Sequence, residues 1–203
     1  MGQEKLFKDN CNPQGTVVLN WFGESEEELV HYARAYHSAA RTIIEDLKNK
    51  NFGLDACPID EFLAYPVIFL YRHSLELYMK TIIFVWASNL ETEQIGDIDI
   101  EKLFQNHSLD SLRQKVEKIF EVNGWGWNLN SKYFKNISDF RKVISEMHVL
   151  DKNSATFRYP IRSDGKPSLE KFLKFNLFQF CCVVNDLLNA LDGAVSLACE
   201  RCR

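Results

Sequence analysis

The sequence predicts an all-α fold, an antiparallel helical bundle of about five main helices. Three observations predict it. Apolar residues recur at helical spacing in five separate stretches of the chain. No strand–helix–strand alternation is visible, which argues against a parallel sheet. Nine Gly and five Pro among 203 residues leave little material for the tight turns of an all-β protein.

Residues 1–24 read as an N-terminal arm. Asn12-Pro13-Gln14-Gly15 is a turn signal, and Thr16–Phe22 is a short strand or extended piece. Residues 25–203 read as one helical domain. Ser25 followed by Glu28 forms a capping box, and acidic residues in a first turn suit the helix dipole. The helix it opens runs to about Lys50, with Leu29, Tyr32, Tyr36, Ala40, Ile43 and Leu47 on its apolar face. His31 and His37 lie off that face and are expected at the solvent or core edge. Asn51-Phe52-Gly53 ends the helix, and a short helical piece near Asp60–Ala64 leads onward.

Pro66–Leu90 is the central helix. It is apolar on nearly every side, which belongs in the middle of a core. It nevertheless carries Arg72, His73, Glu76 and Lys80. At about 100° per residue, Arg72, Glu76 and Lys80 share one stripe with His73 beside it. Both Arg72–Glu76 and Glu76–Lys80 are i,i+4 pairs, so the stripe reads first as a self-neutralising ladder. Its second reading is a buried polar site facing a cleft or a partner subunit.

Glu91–Glu101 reads as an acidic surface loop. Ser108 caps the third helix, whose inward residues are Leu109, Leu112, Val116, Ile119 and Phe120, and Asn123-Gly124 stops it. Trp125 and Trp127 are aromatic anchors in the following connection. The fourth helix spans about Ser131–Val149, with Tyr133, Ile137, Phe140, Ile144 and Met147 facing inward. Residues 151–167 form an irregular or hairpin-like excursion, with a turn at Ser163-Asp164-Gly165. Ser168 is expected to cap the last helix, which carries Leu169, Phe172, Leu173, Leu177, Phe180, Val184, Leu187, Leu188, Leu191 and Val195.

The net charge of −4 disfavours a general nucleic-acid coat, but the charge is uneven. Residues 1–130 hold 12 basic and 20 acidic side chains, whereas residues 131–174 hold 10 basic and 5 acidic. An anionic ligand is therefore directed to 131–174. The N-terminus MGQEKLFKDN lacks an apolar leader, and no run of about 18 uncharged apolar residues occurs, so a cytoplasmic protein without membrane contact is expected. Its six cysteines are then thiols, with Cys181 and Cys182 in an apolar helical run. Cys199-x-x-Cys202 alone is a weak zinc signal, and no metal or cofactor is expected.

Arg141 and His148 are seven apart on the fourth helix, which is about 700° and about 10.5 Å of rise, so they share a face. An Arg fork can hold phosphoryl oxygens, and a His moves protons near neutral pH. Together they are the minimum for RNA cleavage without metal, by deprotonating a ribose 2′-OH and stabilising charge on phosphorus. Among helices, such a pair also arises by chance on a solvated face.

The run LYRHSLELYMK (Leu70–Lys80), then NHSLDSL (Asn106–Leu112), the Arg-x6-His and FRYP (Phe157–Pro160) together resemble the HEPN superfamily of helical bundles. The resemblance covers roughly residues 25–200. It implies a metal-independent endoribonuclease of a toxin or defence kind, with a site commonly assembled across a homodimer and possible pairing with a cognate antitoxin. Carried to this chain, the ribonuclease motif falls on Arg141 and His148. The residue after the Arg, often Asn in that motif, is Lys142 here. Arg158 and Tyr159, with Lys142, are the expected RNA contacts, through phosphate and base stacking. Other superfamily members lack the motif, and the alternative they imply is a non-catalytic domain binding RNA, a nucleotide or a protein partner.

Overall fold

The structure is a computed structural model that describes residues 14, 17, 28–50, 52, 58–88, 99–127 and 131–201. The N-terminal arm, the Ser25 capping box, the Gly53 stop, most of the acidic loop and Cys202 lie outside the described residues.

Helix α1 spans Glu28–Asn49 and packs along α3, Ala64–Ser88. Their contact is close because small residues meet there. Ala33 and Ala40 are fully buried, and the Ser74 hydroxyl donates to the Ala33 carbonyl at 2.8 Å. The buried face is Val30, Ala33, His37, Ala40, Ile44 and Leu47. It is thus rotated from the expected one, sharing only Ala40 and Leu47. The bulky Tyr32 stays at the rim, 43% exposed, because the alanines allow the tighter approach. His37 is buried, whereas the sequence suggests a solvent or core-edge position. Its Nε2 donates to Asn185 Oδ1 at 2.6 Å, and the Tyr71 hydroxyl donates to the same oxygen at 3.0 Å.

The lead-in piece is α2, Pro58–Phe62, two residues earlier than expected. Helix α3 begins at Ala64, so Pro66 sits in its first turn, where its missing N–H costs nothing. Almost every side of α3 is covered, and it touches α1, α2, α4 (Ile100–Gln105), α5 (Leu109–Val122) and α7 (Leu177–Arg201). Helix α4, Ile100–Gln105, occupies part of the expected loop; Asp99 caps it by accepting from Lys102 N.

Helix α5 spans Leu109–Val122. Ser108 is its N-cap, accepting from Ser111 N, and the five expected inward residues are all buried. At the other end Gly124 adopts φ +64°, Gly124 N donates to Glu121 O and Trp125 N to Phe120 O. This is a Schellman end, completed by Trp125 against the Phe120 ring at 5.3 Å. Trp127 stacks between Phe120 and Phe140 at 4.4 and 4.8 Å. Ser108→Ala should cost about 1 kcal/mol, read as a lowered urea midpoint with unchanged slope.

Helix α6 is Ile137–Leu150 and starts later than expected. The Asp186 carboxylate of α7 accepts from Tyr133 N at 2.9 Å and from the Ser131 hydroxyl, which diverts these groups from a helical turn. Asn136 caps α6 instead, through Ser138 N and Asp139 N. Phe140, Ile144 and Met147 face the core as expected.

The excursion after α6 is hairpin-like. Arg162 N donates to Lys166 O, Gly165 takes φ +78°, and Ile161 and Pro167 form an isolated bridge. Ser168 does not cap a helix; its N–H donates back to Pro160 O. The chain stays irregular through Asn176, whose side chain accepts from Gln179 N as α7, Leu177–Arg201, begins. The intervening strap leaves Phe172 fully open to solvent. Helix α7 packs on α1 and α3 through Leu177, Cys181, Val184, Leu188 and Leu191. Burial pushes the Cys181 thiol up to about 12, while Cys182 is exposed. Residues Leu177–Glu200 are also long and apolar enough to cross a membrane by length and composition. Within the bundle, however, Asp192 of this helix pairs with Arg34 at 2.7 Å.

The fold class is therefore the expected all-α bundle. Among the described residues, five long helices, α1, α3, α5, α6 and α7, enclose one core, with α2 and α4 as short additions.

Candidate functional site

Arg72, Glu76 and Lys80 form the expected ladder on α3. Arg72 Nη1 and Lys80 Nζ each donate to a different oxygen of Glu76 at 2.8 Å. All three side chains are at most 3% exposed. The ladder does not close on itself alone. Arg72 Nη2 donates to His107 O at 2.7 Å and Asp151 O at 3.2 Å, and Arg72 Nε lies 3.1 Å from Asp151 Oδ2. Lys80 Nζ donates to Phe104 O at 3.0 Å. His107 Nδ1 lies 2.9 Å from Glu76 Oε1.

Two buried cations thus face two buried carboxylates, and the carbonyls of Phe104 near the end of α4, His107 and the Asp151 cap fill remaining donor positions. Such filling is what makes buried charge tolerable. Burial alone pushes the Glu76 carboxyl up, but Lys80, then Arg72 and His107, outweigh it and hold it below its ordinary value. Glu76 is therefore a carboxylate that only accepts, and His107 Nδ1 must carry the proton. Asp151, the C-cap of α6, also accepts from Ala155 N and Thr156 N through Oδ1, ordering the turn that begins the excursion.

His73 stands apart from this network. Its ring stacks on Phe69 at 5.6 Å and meets the edge of Tyr36 at 4.4 Å. Burial pushes its imidazole below the ordinary value, and the Lys80, Arg72 and Arg158 charges act in the same direction. Arg158 lies over Phe69 at 5.6 Å and over Tyr159 at 5.7 Å, and donates to Ser154 O. Tyr159 is 57% exposed, so the Arg158–Tyr159 pair is a solvent-facing cation–aromatic surface.

Arg141 and His148 both lie on α6, which packs against α5. Arg141 is exposed, and its Nε and Nη2 grip Glu117 of α5 at 2.7–3.1 Å. Glu117 also accepts from Arg113. Burial pushes the Glu117 carboxyl up, but Arg141 and Arg113 prevail and hold it low. His148 is half-buried in the last turn of α6, with Nδ1 buried and without a hydrogen-bond partner. Asp110 of α5 is held by Arg113 at 2.8 Å, which keeps its carboxyl below the ordinary value. Lys142 is exposed on α6.

A mostly apolar cavity of about 340 Å³ lies between α3, α6, α7 and the strap; Arg72, Met147, Phe157 and Val184 line it, and Arg141 and His148 do not. Among the described residues no group of three or more His, Cys, Asp or Glu is arranged to hold a metal ion.

His107 and Asp151 are the polar neighbours that the sequence does not tie to the ladder. Neither shares a helical period with it, being 31 and 79 residues from their partners on α3. His107 stands in the run NHSLDSL, part of the resemblance, with no sign there of its contact to Glu76. No protein-family model, curated protein or solved structure matches the chain.

Proposed function

We propose that the protein is a metal-independent endoribonuclease of the HEPN kind, with His148 as acid/base and Arg141 as phosphate clamp, working as a homodimer in the cytoplasm in a toxin or defence setting. The observation that carries the reading is the shared α6 face. Arg141 offers an exposed fork, and His148 keeps a buried ring nitrogen unpartnered in the last turn. Arg141 is 54% exposed while Glu117 is 12% exposed and keeps Arg113, so a phosphate can draw the Arg141 fork away without leaving Glu117 unpaired.

A second reading has its own observation. Arg158 between Phe69 and Tyr159 suits an unpaired base and its phosphate, as a non-catalytic domain binding RNA or a nucleotide requires. The same surface is available to a protein partner such as an antitoxin.

One experiment separates the two. Structured RNA is incubated with the purified protein in EDTA. Cleavage that His148→Ala removes and His31→Ala retains supports the enzyme; RNA left intact by wild type ends that assignment. In the second reading, RNA still binds, and Tyr159→Ala weakens binding by roughly 1–3 kcal/mol, the worth of one base stack.

A further inference from the structure

We propose that His107 is the second imidazole of the cleavage centre, the proton acceptor that works opposite His148. The inference rests on the ribonuclease reading and adds to it a residue and a division of labour. Metal-free transesterification of RNA takes one proton away and delivers another, and within one protomer His148 with Arg141 supplies only one of the two proton-transfer groups.

Three observations carry it. The first is the fixed tautomer. Glu76, 1% exposed and ionised, accepts a hydrogen bond from His107 Nδ1–H, so in the neutral ring Nε2 is the nitrogen that carries the lone pair. The His107 side chain is 50% exposed. A buried carboxylate orienting an imidazole in this way is how a general base is prepared for its task.

The second is proximity. A single atom, Arg72 Nη2, holds the carbonyl oxygens of His107 and Asp151 at 2.7 and 3.2 Å. His107 leads into α5, and Asp151 closes α6 three residues after His148. The buried guanidinium therefore staples together the two segments that bear the histidines.

The third is the charge beside His107. Asp110, in the first turn of α5, has its carboxylate engaged by Arg113 at 2.8 and 3.0 Å and by Gln114 at 2.9 Å, so it is a paired carboxylate that stands three residues after His107.

In the step, His107 Nε2 removes the 2′-OH proton, and O2′ attacks phosphorus. The P–O5′ bond breaks, and the leaving O5′ takes the proton of His148. The products are a 2′,3′-cyclic phosphate and a 5′-hydroxyl, with His107 protonated and His148 neutral; no co-reactant is consumed. Glu76 is a positioning residue, acting only through His107.

The test is His107→Asn, whose amide N–H replaces the Nδ1 donor to Glu76 while the Nε2 position is lost. The variant is expected to unfold at the wild-type temperature and to cleave RNA about 10²–10⁴-fold more slowly. Nitrogen NMR of wild type should find His107 protonated at Nδ1, and uridine 3′-monophosphate should shift the His107 and His148 rings along one saturation curve. Wild-type cleavage with His107→Asn equally active overturns the inference and leaves the ribonuclease reading standing. So does a His107 ring protonated at Nε2 alone, or a nucleotide that shifts only His148. Intact RNA with wild type removes both.

Discussion

Glu76→Ala should destabilise the fold by about 3–5 kcal/mol, the cost of breaking a buried ion pair from one side. Lys80 would keep only Phe104 O, and Arg72 would keep Asp151 and the loop carbonyls. Against the roughly 5–15 kcal/mol of a typical domain, that loss is large enough to empty much of the folded population on warming. Urea unfolding followed by circular dichroism reads it directly, and a loss below about 1 kcal/mol, the range of exposed pairs, would contradict the account.

The same carboxylate sets an acid dependence. Its folded value is held below the ordinary one, so its contribution is fully present above the ordinary glutamate range. It is lost as pH falls from that range towards the lower folded value. In Glu76→Ala this part of the acid loss should be missing.

The second large effect is on cleavage. His148→Ala is expected to slow RNA cleavage by about 10²–10⁴-fold under single-turnover conditions with EDTA, the usual contribution of a positioned acid or base. His31 is exposed on α1, so His31→Ala serves as the surface control. Arg141→Lys should weaken cleavage as well, because an ammonium keeps the charge but not the two-pronged grip. A His148→Ala enzyme as active as wild type would return Arg141 and His148 to the role of an ordinary helix face.

The bundle was legible in the sequence where a local signal coincided with a tertiary one. Ser108, Asn123 and Gly124 bound α5 because caps and left-handed stops are chosen by chemistry within a few residues. Where a distant side chain intervened, the local signal misled. Ser131 and Tyr133 carry a helical pattern, yet Asp186, 55 and 53 residues away, captures them. Ser168 precedes apolar residues at helical spacing, but its N–H is committed to Pro160 and the helix waits for Asn176.

The candidate site divides the same way. The i,i+4 ladder followed from spacing alone. That it also holds His107 and Asp151 did not, since a loop carbonyl or a cap carboxylate leaves no periodic trace. His73 illustrates the limit within one helix: adjacent to Arg72 in sequence, it faces Tyr36 and Phe69 on another side.

The reach of Arg72 also bears on how the chain folds. Its partners stand 4, 35 and 79 residues away, so Glu76 on the same helix matches its charge locally, but its other donors are filled only after two remote pieces of chain have converged. A half-assembled intermediate that buried α3 early would leave donors of the guanidinium unsatisfied in an apolar interior. Such shortcuts are penalised, and α3 is driven to stay wetted until the α4–α5 junction and the end of α6 arrive. The polar core thus acts as a cooperativity device. It slows assembly through its long-range closures, and it ties those segments into one unit that opens all together or not at all.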